Sequence, residues 1–379
     1  MAAGRPRVAL AHDYLTQRGG AERVVLAMTR AFPEATLHTL LYEPGKTFAE
    51  FADVDLRVSP LNHASYLRRH HRRALPALPF AASAMRIDAD VVIASSSGWA
   101  HGIRSPGAKI VYCYSPARWL YQSDRYLGAQ PSLVRSTALR TLRPGLIRWD
   151  QHAAGTATRY LAISTAVQQR IADTYGLASE VVPAPVTLSR AEPEELREPA
   201  TRALLEAEPF HLVVSRLLPY KNVDVVVRAF ERLPGDRLVV VGTGPELQYL
   251  RSVSGPNVTF LAGLTDGEMH WLYAHARSLV AASHEDYGLT PLEAALHGTP
   301  AVVLRWGGFL DTMVEGATAV FFDDPEPAAV ADAVRRADDL PWDAGVVRAN
   351  AERFSEEHFA ERLQAEVAAV LARPGTPGH

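Results

Sequence analysis

The sequence predicts an α/β chain of two doubly wound, parallel-sheet domains, and three observations carry that expectation. The chain is 379 residues long, more than one hydrophobic core usually holds. Short apolar runs, each followed by a turn and an apolar pattern of helical period, recur in both halves. Between the halves lies "EVVPAPVTLSRAEPEELREPATRALLEAEPF", where Pro183, Pro185, Pro193, Pro199 and Pro209 interrupt any regular element. The domain boundary therefore falls at about residue 186.

In the first half "RVALA", residues 7–11, reads as a short buried strand. "HDYLTQRGGAERVVLAMTRAF" then runs through a glycine pair into a helix. In the second half "HLVVSRLLPYKNVDVVVRAFERL", "RLVVVGTGPELQYLRSV", "VTFLAGLTDGEMHWLYAHA" and "SLVAASHEDYGLTPLEAALHG" each feed a strand into a helix. Strands alternating with helices imply parallel pairing, because a parallel pair needs a long crossover. The tail "DAGVVRANAERFSEEHFAERLQAEVAAVLA" is helical by its apolar spacing, ends near Pro374, and suits either lobe.

Composition excludes several classes. Apolar residues make up 47% and charged residues 21%, with a formal net charge of −3, which argues against a nucleic-acid binder. The lone cysteine, Cys113, has no internal partner, and the apolar stretch near the start is too short and too charged for a signal-peptide core. A cytoplasmic protein is expected, with any membrane contact peripheral, since no run suits a spanning helix.

Ligands of doubly wound sheets bind beyond the carboxyl ends of the strands, so the loops there hold the candidates. In "TQRGGAER" Gly19 and Gly20 precede a helix start, which suits a phosphate or a plain tight turn. In "VVSRLLPYKN" Arg216 and Lys221 follow a strand, as a diphosphate clamp or as solvated surface charge. In "VVVGTGPELQ" Gly242 and Gly244 imitate a dinucleotide fingerprint, but Leu247 occupies the third glycine position, which argues against a nicotinamide oxidoreductase. In "ASHEDYGLTPLEAALHGTP", residues 282–300, Glu285 and Glu293 have seven residues between them. Thr290, Pro291 and Glu293 match a capping box, and Gly298 with Pro300 stops the helix. Glu285 has no such structural role: it lies in a loop, where a carboxylate accepts hydrogen bonds from sugar hydroxyls.

"EDYGLTPLEAALHGTPAVV" resembles the E-x7-E signature of the retaining, GT-B fold glycosyltransferases of family four. "SRLLPYKNVDVVVRAFERL" and "VVVGTGPE" match that family's donor-domain pattern in order and spacing. "HDYLTQRGGAERV", "YCYSPARWLYQ", "RWDQHAA", "YLAISTAVQQRI" and "WGGFLDTMVEGATAVFF" look like the branch that includes O-antigen mannosyltransferases. The resemblance implies two Rossmann-like domains facing a central cleft: an acceptor-binding domain at 1–185, a nucleotide-sugar donor domain at 186–355, and a helix at 356–379 packing back on the N-terminal domain. It assigns the donor diphosphate to Arg216 and Lys221, the sugar hydroxyls to Glu285, the ribose to Glu293, and backbone contacts to Gly288, Leu289 and Thr290, with Gly19 and Gly20 completing the donor site. The implied reaction is metal-independent and retaining: the acceptor attacks on the leaving-group face, and the departing phosphate takes its proton. No DxD pair sits where a metal would want it, and "FDDP", residues 322–325, reads as a turn.

Two positions depart from the family. Tyr114 stands where relatives carry a histidine near the reacting sugar, and Asp311 where they carry glutamate. A neutral phenol donates a hydrogen bond but does not replace a histidine's proton chemistry. His101 and Arg118 are acceptor-side candidates. The basic run "SYLRRHHRRALPALPF", with Arg68, Arg69, Arg72 and Arg73, is a solvated face or, through residues 66–75, a contact to anionic membrane; Arg135, Arg140, Arg143 and Arg148 extend it. The leading reading is a hexosyltransferase using GDP-mannose, with a UDP-sugar donor as alternative and a glycan, lipid-linked or small-molecule acceptor. The contrasting class is a sugar-binding pseudoenzyme, which turnover of purified protein would separate.

Overall fold

The computed structural model describes residues 6–70, 74, 77–122, 133–187 and 191–372, and the backbone alone of 133–141. The chain forms two compact units, 1–185 with 356–379, and 186–355. The first is built on β1 (Val8–His12), β2 (Leu37–Thr39), β3 (Leu56–Val58), β4 (Val91–Ser96), β5 (Ala108–Cys113), β6 (Arg159–Ala162) and β7 (Ser179–Val181). They pair in the order β3-β2-β1-β4-β5-β6-β7, every pair parallel. The second unit holds β8 (Phe210–Val214), β9 (Arg237–Val241), β10 (Val258–Leu261), β11 (Ser278–Ala281), β12 (Ala301–Leu304) and β13 (Ala319–Phe322). Their order is β10-β9-β8-β11-β12-β13, again all parallel.

Burial explains why these runs are strands. Helices cover both faces of a parallel sheet, so central strands are apolar throughout rather than alternating. All six residues of β4 and all four of β12 and β13 are buried. The edge strands β3 and β7 of the first sheet are only three residues long and expose Arg57 and Glu180, short charged edges that resist pairing with another chain.

Helix ends follow local chemistry where the sequence supplies it. Helix Thr165–Tyr175 starts where the Ser164 side chain accepts from the Val167 N–H, and it ends at Gly176 with φ 67°. The tail helix Glu356–Leu371 belongs to the first unit. Arg30 grips Glu356 through two 2.6 Å bonds, Gln364 donates to the Ala31 carbonyl at 3.0 Å, and Phe359 packs edge-on to Tyr112.

Strand order reverses direction at one place in each sheet. In the first sheet β1 and β4 lie side by side and the order runs outward on either hand; in the second β8 and β11 do so. At such a point the loops after the two strands diverge to opposite faces and leave a crevice at the carboxyl edge. The candidate residues sit on those loops.

Candidate functional site

In the second unit the loop after β8 carries Arg216 and Lys221, and the loop after β11 carries Glu285. Lys221 Nζ donates to Glu285 Oε1, and Ser283 Oγ donates to the same oxygen at 3.1 Å. Both charged side chains are largely enclosed, 13% and 20% exposed, so their attraction is screened less than a surface pair's. Lys221 and Glu285, read separately from sequence, are one unit in the fold. Arg216 is exposed and donates to the Tyr220 hydroxyl at 3.1 Å. Asn222 adopts the left-handed conformation at φ 51°, and its Nδ2 donates to the Ala282 carbonyl at 2.9 Å, tying the β8 loop to the β11 loop.

Glycines hold this edge together by letting backbones touch. A Cβ on Gly242 would lie 1.9 Å from the Ser215 carbonyl, and one on Gly244 2.2 Å from that of Leu217. These glycines pack the β9 loop onto the β8 loop, where Ser215 and Leu217 N–H groups bond across it at 3.0 and 2.9 Å. The loop after β12 was not assigned a role from sequence. There Gly307 (φ 59°) and Gly308 lie against Glu285, whose carbonyl accepts from the Gly308 N–H at 3.1 Å. A Cβ on Gly307 would meet that carbonyl at 2.1 Å. Only the Gly-Gly dipeptide after a strand hinted at this.

The capping box expected at Thr290 is absent. Helix Leu289–Leu296 is capped by Gly288, which turns at φ 84° with no side-chain cap bond, so Thr290 is already helical. Phe309 packs under Gly288, where a Cβ would lie 2.3 Å from its ring. Leu289 and Thr290 thus present first-turn N–H groups, and Pro291 lacks one where it costs nothing. Glu293, one turn in, accepts from the Tyr273 hydroxyl at 2.6 Å. Among the described residues of this unit the capping box is Thr265 with Glu268. The helix stops as expected, with Gly298 at φ 82°.

In the first unit the loops after β1, β4 and β5 hold a buried polar framework. Gly19 is the N-cap of helix Gly20–Ala31, and a Cβ there would crowd the buried Glu22 carboxylate at 2.7 Å. The Tyr114 hydroxyl donates to the Ala21 carbonyl at 3.1 Å and pairs with Ser95 Oγ at 2.9 Å; Ser95 in turn meets His12 Nδ1 at 3.0 Å. Burial raises the Tyr114 phenol well above its ordinary value and lowers His12, so both are neutral. Tyr114 therefore braces the glycine turn.

His101 is not presented to solvent: it is 2% exposed. Its Nδ1 meets Ser96 Oγ at 3.1 Å and its Nε2 faces Asp150 Oδ1 at 3.1 Å. Asp150 also accepts from the Tyr121 and Tyr175 hydroxyls at 2.7 and 2.8 Å. Asp13, 1% exposed, accepts from the N–H groups of Ser97, Trp99 and Ala100 and so shapes the β4 loop. These carboxylates were missed because nothing local marks them. Arg118 opens the short helix Arg118–Tyr121 and is half-buried.

Of the basic run, Arg68 is half-buried against Glu43 at 2.9 Å, while Arg69 bonds the Ser65 carbonyl of its own helix. Arg72, Arg73 and the side chains of Arg135 and Arg140 lie outside the described residues. No helix among the described residues is long and apolar enough to cross a membrane. Asp323 of "FDDP" pairs with Arg305 at 2.8 Å.

Among the described residues one group has metal-ligand spacing: His211, Asp236 and Asp338 offer atoms within 4.8 Å of one another. Arg277 already lies 3.6 Å from Asp236 and 3.4 Å from Asp338, so a cation fills the cluster from within the chain. Burial, then Arg277, lowers His211 to about 3 and keeps it neutral. The group lies at the amino edge of the sheet, away from the loops described above.

Comparison with known proteins converges on one family. Residues 18–190 match the model of "Glycosyltransferase Family 4" and residues 196–354 that of "Glycosyl transferases group 1". A glycogen synthase of Deinococcus deserti is 33% identical over 41% of the chain and 38% of its own length. A GDP-mannose-dependent alpha-(1-6)-phosphatidylinositol monomannoside mannosyltransferase of Mycobacterium tuberculosis is 30% identical over 45% of the chain and 50% of its length. The matched region thus spans half or less of these curated relatives. Among solved structures, Anabaena HepE in complex with UDP-glucose has a TM-score of 0.69 at 17% identity, covering 96% of this chain and 99% of that one. Sucrose-phosphate synthase from Thermosynechococcus elongatus has 0.67 at 18% identity, over 98% and 100%. At such identities these two establish the fold alone.

Proposed function

We propose, from the premise that this chain belongs to the GT-B fold glycosyltransferases of family four, that it transfers a hexose from a nucleoside diphosphate sugar to a hydroxyl acceptor. The observation that carries the proposal is the juxtaposition, at the second sheet's β8–β11 reversal, of Arg216 and Lys221 with Glu285 and a glycine-capped helix start. Such a crevice is where doubly wound sheets take ligands. Cations and first-turn N–H groups suit a diphosphate, and a carboxylate beside them suits sugar hydroxyls.

In this reading Arg216 and Lys221 hold the diphosphate and stabilise charge as it leaves, a role that needs no metal ion. Glu285, anchored by Lys221 and Ser283, receives the sugar hydroxyls; Glu293 receives the ribose. Attack on the face of the leaving group retains the anomeric configuration, and the departing phosphate oxygen accepts the acceptor's proton. No protein nucleophile is involved, so orientation supplies much of the rate. Mannose from a guanosine diphosphate donor is the favoured substrate, a UDP-sugar the alternative. The acceptor, a glycan, glycolipid or small molecule, falls to the first unit, whose half-buried Arg118 is its candidate contact. Among the described residues of 66–75, peripheral membrane contact falls to Arg69, since Arg68 is occupied by Glu43.

Purified full-length protein incubated with GDP-mannose and with UDP-glucose, each with a panel of glycan, glycolipid and small-molecule hydroxyl acceptors, with nucleoside diphosphate release followed with and without EDTA, tests the proposal. Release from one donor, unchanged by EDTA and abolished in Glu285→Gln, is expected. No release from either, or release that needs added magnesium or manganese, counts against it.

A further inference from the structure

We infer that Tyr273 is a positioning residue that aims the Glu293 carboxylate at the ribose of the donor nucleotide, an inference that rests on the donor-site reading above. Tyr273 lies on helix Asp266–His275, a different element from Glu293, and its hydroxyl donates to Glu293 Oε2 at 2.6 Å. A phenol donating to a carboxylate makes a charge-assisted bond, stronger and more directional than a neutral one. Glutamate has three side-chain torsions; holding one oxygen sets the direction of the other.

Tyr273 is itself held at both ends. It is 3% exposed, and its ring lies nearly parallel to that of His297, 16° between planes and 5.9 Å between centroids. Its carbonyl accepts from Thr299 Oγ1 at 2.5 Å, on the segment that follows Glu293's helix. The phenol is thus fixed relative to the helix Leu289–Leu296 before any ligand arrives, and a ligand that uses Glu293 need not order it. Phenylalanine would keep the buried ring and remove only this donor.

The test is calorimetric titration of full-length wild type, Tyr273→Phe, Glu293→Gln and the double variant. The ligands are whichever of guanosine or uridine diphosphate the wild type binds, and its 2′,3′-dideoxy analogue. Wild type should favour the ribose form about tenfold or more, the worth of a hydrogen bond to a charged group. Tyr273→Phe should lose most of that preference while binding the dideoxy form as wild type does. In the Glu293→Gln background the second change should add nothing. A wild type indifferent to the ribose hydroxyls would overturn the ribose reading, and the inference with it. A wild type that discriminates, beside a Tyr273→Phe that discriminates equally or loses both ligands equally, would overturn the inference alone.

Discussion

The two units place polar groups at equivalent sheet edges and treat them oppositely. Beyond β8 and β11 the charges are within reach of solvent: Arg216 is exposed, Lys221 and Glu285 partly so. Beyond β1 and β4 they are sealed, with Asp13 and Asp150 each 1% exposed and His101 2%. Sealed groups with fixed partners shape loops; groups that reach solvent can meet a ligand. The first unit's sealed polar residues thus shape its loops, whereas those of the second unit are open to a ligand.

That contrast breaks first, and with the largest effect, at Asp150. Asp150→Ala leaves two half-buried tyrosine hydroxyls and the buried His101 without their common partner, and about 3–5 kcal/mol of stability should vanish. Denaturant unfolding measures this; a loss under about 1 kcal/mol would show the framework to be dispensable.

Lys109 sharpens it. This ammonium is buried in the first unit against the carbonyls of His101 and Ile103 and the Thr156 hydroxyl, and burial lowers its pKa from 10.5 to about 8. The unfolded chain holds a proton that the folded chain releases between those values. Stability from this group is therefore fully present above pH 10.5 and lost as pH falls through 8, on the order of 3 kcal/mol across the window. Melting curves of Lys109→Met should lack that rise relative to wild type. Parallel curves for the two proteins would refute it.

In the second unit the effects should fall on ligands instead. Lys221→Ala should weaken nucleoside diphosphate binding by about 1.5–3 kcal/mol at little cost in melting temperature. Glu285→Gln should abolish turnover yet tighten the bare diphosphate several-fold, because Lys221 loses its competing carboxylate. Unchanged or weaker nucleotide binding in that variant would show the ion pair to be incidental.

Parts of this were legible in the sequence for physical reasons. Central parallel strands are apolar on both faces, so "RVALA" and "HLVV" stand out from any neighbour. The stop at Gly298 needs only local chemistry. What was misread depends on distant contacts. The pattern T-x-x-E occurs at Thr265 and again at Thr290, yet only the first is a capping box. At the second, Gly288 turns the chain over Phe309, twenty-one residues on, and starts the helix two residues early. The partners of Tyr114 and His101, Ala21 and Asp150, come from other elements and so left no mark in the local sequence.

The central claim is that the β8–β11 crevice of the second unit holds a nucleoside diphosphate. Its most direct test is calorimetric titration of GDP and of UDP into the full-length protein and into the Arg216→Ala/Lys221→Ala double variant. One-site binding of at least one nucleotide to wild type is expected, with a loss of about a hundredfold or more in a variant that melts like wild type. Equal affinity in the two proteins, or no binding to either, would contradict it.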